Sequence, residues 1–176
     1  MDKDKYIEHI VKKQASVLAV MAKYFAYFIT AFGVYALFSS TLIGTIILML
    51  GAGLIYVTGM AVDVEYEFLF VNDDCEISKI YKKSTRKKCA SFEGSKVDRI
   101  ACCTSDKFKN DLQIKRDWTV TKYVSGNADK EDMCYGFVYT ENEKQKVAIL
   151  ELNDKVIDYI NRVYKNKMES YSAWKH

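Results

Sequence analysis

Charge is missing from one long stretch of this chain and abundant everywhere else. No Asp, Glu, Lys or Arg lies between Lys23 and Asp63, whereas the whole chain is 28% charged with a formal net charge of +3. That absence excludes a simple soluble globule, because the rest of the chain is too short to wrap so much apolar helix. It also excludes a large multidomain enzyme, since what is left over suffices for one small domain. Histidine is scarce as well, with only His9 and His176, near the two ends. The five cysteines, Cys75, Cys89, Cys102, Cys103 and Cys134, show no zinc-ligand spacing. A Cys-His nucleophile and a zinc site are therefore both disfavoured. A phosphate loop, a dinucleotide fingerprint, a nucleophile elbow and a kinase motif set are all missing too. The expectation is a non-enzyme with no catalytic residue, no metal and no cofactor. The rival is a membrane-bound, thiol-dependent enzyme.

What fills the charge-free stretch is apolar. As a single helix, positions 24–62 would measure roughly 58 Å, nearly twice the ~30 Å hydrocarbon core of a bilayer. Two helices fit, broken at Ser39-Ser40-Thr41, with spans near Tyr24–Phe38 and Leu42–Val62. The first gains length by reaching back through Ser16–Ala22, with the Lys23 ammonium snorkelling to the interface. The run is too long and too doubled for a cleaved secretory signal. Lys3, Lys5, Lys12, Lys13 and Lys23 precede the first span, the turn carries no Lys or Arg, and the segment after the second span is rich in them. The positive-inside rule then places both termini in the cytoplasm, a cell-membrane protein with two spans. Gly44, Gly51, Ala52, Gly53 and Gly59, with Ala22, Ala26 and Thr30, would let the two backbones approach closely. Tyr6, Ile7, Ile10, Val11, Val17 and Leu18 have helical spacing, so residues 1–23 read as an interfacial helix.

After the membrane the period changes. Val64, Tyr66, Phe68 and Phe70 alternate with Glu65, Glu67 and Leu69, the mark of a strand with one buried face. Asp63, Glu65 and Glu67 then form a flat solvated row rather than the converging set a divalent cation needs. Asn72-Asp73 suits a two-residue hairpin that faces Phe70 with Cys75 and Phe68 with Ile77. Further strands fall at Arg86–Phe92, Val97–Cys103, Trp118–Val124, Met133–Thr140 and Gln145–Leu152, and Ser105–Ile114 is a polar connection with a helical turn. On a strand Cys102 and Cys103 point to opposite faces, one buried and one exposed. Asn153 caps a last helix whose Val156, Ile157, Ile160, Val163 and Tyr164 recur at helical spacing. The fold class is a membrane α-helical hairpin plus an α+β domain. That domain is a seven-stranded barrel or sandwich capped by a C-terminal helix. It occupies residues 63–167, and 168–176 are a C-terminal tail.

That order of elements resembles the pleckstrin-homology superfold. Closer still, the chain resembles a family of small uncharacterised bacterial two-helix membrane proteins with a pleckstrin-homology-like cytoplasmic domain. The likeness is carried by Glu65-Tyr66-Glu67-Phe68, Asn72, Cys75-Glu76-Ile77-Ser78-Lys79-Ile80, the basic run that follows, Tyr123-Val124-Ser125-Gly126 and Leu150-Glu151-Leu152-Asn153. Relatives place a proline before the last helix, and this chain has none. The resemblance implies a fold and carries over no activity.

One cluster suggests a partner. Lys79, Lys82, Lys83, Arg86, Lys87 and Lys88 crowd ten positions without an acid, some sixteen residues from the membrane exit. Each Lys or Arg near an anionic leaflet contributes on the order of 1 kcal/mol within a Debye length of ~8 Å. In pleckstrin-homology domains basic residues of an early loop often hold lipid headgroups. The resemblance thus implies an anionic-lipid headgroup sensor as the alternative to plain surface attraction. Nucleic acid is not expected as a partner, because Tyr81 is the only interleaved aromatic. The function expected is a membrane-anchored, non-enzymatic interaction module with an unidentified protein partner.

Overall fold

The computed structural model describes residues 6–115 and 117–169. They form two compact bodies: one comprises Lys13–Glu65 with Ile80–Arg86, the other 6–12, Tyr66–Lys79 and 87–169.

The first body is built on α1 (Val17–Leu37) and α2 (Thr41–Val62). Ser16 caps α1, its hydroxyl accepting from the Ala19 amide at 3.2 Å. Amides of Phe38, Ser39 and Ser40 turn back onto α1 carbonyls, so the chain reverses at the polar Ser39-Ser40 step. Thr30, Thr45 and Thr58 donate to carbonyls of their own helices, which is how hydroxyls are satisfied where water is excluded. Both helices are long and apolar enough to cross a membrane. Their large side chains point outward, with Leu18 79%, Tyr35 69% and Leu42 72% exposed. A core hairpin of a soluble protein would bury these groups.

The helices meet through notches. A Cβ on Gly33 would lie 2.8 Å from the Leu48 amide nitrogen. One on Gly44 would strike the Leu37 backbone, and one on Gly51 would strike Thr30. Ala26 is buried at the same seam. The expected close packing is therefore present at Gly44, Gly51, Ala26 and Thr30. Ala22, Ala52 and Gly53 do not take part: all three are exposed, and nothing lies near Gly53.

Among the described residues eight strands make two sheets. The first runs β1 (Tyr6–Lys12), β2 (Val64–Val71), β3 (Asp74–Tyr81), β4 (Thr85–Phe92) in spatial order. The second contains β5 (Val97–Cys102), β6 (Thr119–Tyr123), β7 (Cys134–Glu141) and β8 (Lys144–Glu151) in the order β5-β7-β8-β6. There β7 is antiparallel to β5 and β8, while β6 runs parallel to β8. The sequence led us to expect seven strands, and the eighth is β1. Residues 6–12 are thus a strand and not an interfacial helix. Ile7, His9 and Val11 alternate inward, a period of two hidden by Tyr6 and Ile10, which also fit a helix. The hydrogen bond from the Lys13 amide to the Val64 carbonyl, 3.0 Å, closes the junction. The membrane-type hairpin is in effect the β1–β2 connection.

The core of the second body is aromatic and aliphatic. Phe68, Phe70, Ile77, Ile100, Phe137, Leu150 and Ile160 are completely buried. The two-residue turn at Asn72-Asp73 is present, with Asn72 in the left-handed region (φ 55°). Phe68, Phe70, Cys75 and Ile77 share one core, as the expected register requires. Glu67 departs from the expected solvated row, being only 4% exposed on the side of β2 away from that core.

Two helices complete this body. The connection after β5 is a full helix, α3 (Asp106–Ile114), longer than the helical turn expected of so polar a segment. Phe108 anchors it against the outer face of the second sheet, over Gly136, where any Cβ would collide with the phenyl ring. The last helix, α4 (Asp154–Val163), starts at Asn153, whose side chain accepts from the Val156 amide at 3.0 Å. Val156, Ile157, Tyr159 and Ile160 are buried. Val163, expected on the buried stripe, is 37% exposed at the helix end, and Tyr164 is buried instead. The Tyr159 hydroxyl donates to the Asn72 carbonyl (2.7 Å) and that of Tyr164 to the Asp73 carbonyl. Residues 168–169 are no loose tail. The Ile100 amide donates to the Lys167 carbonyl (2.8 Å) and the Glu169 amide to the Ile100 carbonyl (2.9 Å), covering the edge of β5.

Candidate functional site: the basic hairpin and the end of the second helix

The basic run folds as the turn between β3 and β4 followed by β4 itself. The turn is tight, with the Ser84 amide donating to the Tyr81 carbonyl at 3.1 Å. Both central residues are left-handed, Lys82 at φ 49° and Lys83 at φ 56°. Asn and Gly are the usual occupants of such positions, and lysine there costs backbone energy. Contacts within the helical body offset that cost. The Lys82 amide donates to the Asp63 carbonyl at the end of α2 (2.9 Å). Its alkyl chain runs through the space left by Gly59, where a Cβ would collide with it. Its ammonium sits 4.5 Å from the centre of the Tyr56 ring, a cation–π contact. On the other helix, Lys23 reaches Asp63 at 3.6 Å. The turn is thus gripped by the last turns of α2.

The family model described as Bacterial PH-like domain (DUF6106) matches residues 3–170. This chain belongs to that family. No curated protein and no solved structure matches it. Two sheets and a C-terminal helix suit a PH-like α+β domain, and two membrane-type helices make this member a membrane-associated module.

In this PH-like domain the six basic residues are divided between the two bodies, Lys82, Lys83 and Arg86 in one and Lys79, Lys87 and Lys88 in the other. Lys82 packs against the α2 end. Lys79 is half-buried, on the side of β3 shared with Cys75 and Ile77. Lys88 is ion-paired with Glu76 at 2.8 Å. Arg86 and Lys87 point to opposite faces of β4, and among the described residues Lys83 and Lys87 have no ion-pair partner. The result is a basic strip along a turn and an edge strand, and residues 85–89 are exposed throughout.

The thiols are spread over both sheets. Burial pushes the Cys75 thiol well above its ordinary pKa. Cys102 and Cys103 face opposite sides of the second sheet as expected, but each is half-buried, Cys102 toward the main core and Cys103 toward the α3 cluster. Among the described residues no group of three or more His, Cys, Asp or Glu is placed to hold a metal ion.

Two features escaped the sequence reading. Gly59, expected among the helix-packing glycines, makes room instead for a lysine from the β3–β4 turn. The positive-φ demand of a Lys-Lys turn leaves no composition signal. The second feature is a polar knot where β8 meets α4. Glu151, 3% exposed, accepts the Ser125 amide (2.7 Å) and pairs with Lys130 (3.1 Å). Burial alone would raise its pKa, but these hydrogen bonds and Lys130 hold the carboxyl below the usual range. His9 of β1 lies 3.3 Å from the Asn153 side chain, and burial lowers its pKa.

Proposed function

We propose that the protein is a non-enzymatic interaction module, anchored by two membrane spans with both termini in the cytoplasm, that displays its PH-like domain to protein partners at an anionic membrane surface. The gripped turn carries this reading. Lys82 in the Gly59 notch holds Lys83 and the start of β4 beside the end of a membrane-type helix. Cations there lie within reach of headgroup phosphates, where each contributes on the order of 1 kcal/mol. Topology supports the orientation. The neighbouring places of β1 and β2 in one sheet suit a hairpin whose two ends lie on one side of the membrane. The Lys-rich flanks then put that side in the cytoplasm. PH-like domains are typically non-catalytic, which supports the module reading.

The test uses the full chain in nanodiscs, with amide exchange followed across residues 85–92. Anionic phosphatidylglycerol discs should slow exchange relative to phosphatidylcholine discs. High salt, or Lys83→Gln with Lys87→Gln, should remove the difference. Equal exchange in both discs would overturn the surface reading. Preference for one headgroup that persists at high salt would replace it with a specific lipid site.

A further inference from the structure

The outer face of the second sheet is only half covered. Helix α3 anchors itself with Phe108, but Leu112 is half-buried and Ile114, at the helix end, is 76% exposed. Beyond α3 a groove of about 500 Å³ runs between the helix and strand β6. Small-ligand sites commonly measure roughly 300–1,000 Å³. Leu112, Val120, Val124 and Ile149 line it with hydrocarbon. Val120 and Val124 lie on the same face of β6 as Lys122, and Lys122 is in register with Ile149 of β8. Lys109 of α3 also lines the groove.

Among the described residues the charges lining this groove do not balance. Among the described residues neither Lys109 nor Lys122 has an ion pair. Glu151, the one carboxylate among the described lining residues, is already engaged by the Ser125 amide and Lys130. An apolar trough with two unneutralised ammonium groups on its walls is complementary to a molecule with one hydrocarbon chain and one negative head. A chain carrying two membrane-type helices also meets single-chain lipids at high local concentration.

We propose that this groove binds a single-chain anionic amphiphile, its hydrocarbon against Leu112, Val120, Val124 and Ile149 and its carboxylate or phosphate between Lys109 and Lys122. The site involves none of the basic strip of β3 and β4, so it stands or falls independently of the surface reading.

The groove holds its own reporters, because Cys103 and Cys134 also line it while Cys89 is exposed on β4. The experiment measures N-ethylmaleimide labelling of each cysteine by peptide mass spectrometry, on the full chain in phosphatidylcholine nanodiscs. The probes are dodecanoate, dodecyl phosphate and dodecanol. The proposal expects dodecanoate or dodecyl phosphate to slow labelling of Cys103 and Cys134 severalfold and to leave Cys89 unchanged. Which of the two acts at lower concentration tells a carboxylate site from a phosphate site. Lys109→Gln with Lys122→Gln should raise the half-protecting concentration about tenfold. Unchanged probe-free labelling at Cys89 and Cys103 shows that this variant is folded. Absence of protection by either anion overturns the proposal. So does equal protection by dodecanol, or protection that ignores the two lysines.

Discussion

Helices α2 and α4 are both rich in aliphatic residues, and they use them in opposite ways. On α4 the large residues face inward, Val156 and Ile160 being 1% and 0% exposed, and the polar residues face out. On α2 the buried positions are Gly44, Gly51 and Gly59, while Leu42, Met49 and Val57 are 72%, 71% and 62% exposed. The solvent accounts for the difference. In water, burying an aliphatic side chain contributes about 1.5–3 kcal/mol, so α4 spends its large residues on the core. In hydrocarbon that gain vanishes, and contact between helices depends on close backbone approach, which glycine permits. Apolar content alone does not tell a core helix from a membrane helix; the size of the residues on the buried face does.

Breaking each kind of contact should have unequal effects. The largest belongs to Ile160→Asp, which places an unpaired charge in a fully closed core. The domain's cooperative unfolding transition, followed by near-UV circular dichroism in detergent, should disappear. Removal of β1 comes next. A chain beginning at Asp63 lacks Val11, which is 5% exposed, and leaves an edge of β2 open. It should melt several degrees below a version in which residues 6–12 are rejoined to Val64 by a short flexible linker.

On the membrane side, Gly44→Leu sets a side chain against the Leu37 backbone, an overpacking cost of about 1–3 kcal/mol. It should loosen the hairpin, seen as a longer distance between spin labels placed on α1 and α2, while the domain's melting temperature stays unchanged. Ala52→Leu, at an exposed position, should do neither. The smallest effect concerns His9. Burial holds its folded-state pKa below the unfolded value of about 6.5, so the unfolded state takes up the proton first. Stability should therefore fall as pH drops below about 6.5, and His9→Gln should flatten that slope in thermal melts.

Most of the fold could be read from the sequence because its periods are clean. The 24–62 run, the alternation from Val64 to Phe70 and the Asn153 cap each pointed to the element that forms. Misreadings arose where one residue fits two periods or where a partner decides. Tyr6 and Ile10 satisfied a helical spacing, but the neighbouring β2 made residues 6–12 a strand. Ser105–Ile114 looked like a polar connection because a single residue, Phe108, anchors its helix. Of the candidate site, the basic residues were legible as a run, but their dispersal was not. Turn geometry seats Lys82 on Gly59, Glu76 engages Lys88, and strand alternation separates Arg86 from Lys87. The groove beside α3 had no sequence signal, since its lining comes from five separate segments.

The central proposal is that the apolar hairpin crosses the membrane twice between two neighbouring strands and leaves both chain ends on the cytoplasmic side. The most direct measurement fuses a reporter that is active only outside the cytoplasm at three places: before Met1, in the Ser39-Ser40 turn and after His176. The account predicts strong activity from the turn fusion alone. Strong activity at His176, or at Met1 without activity at the turn, would contradict it.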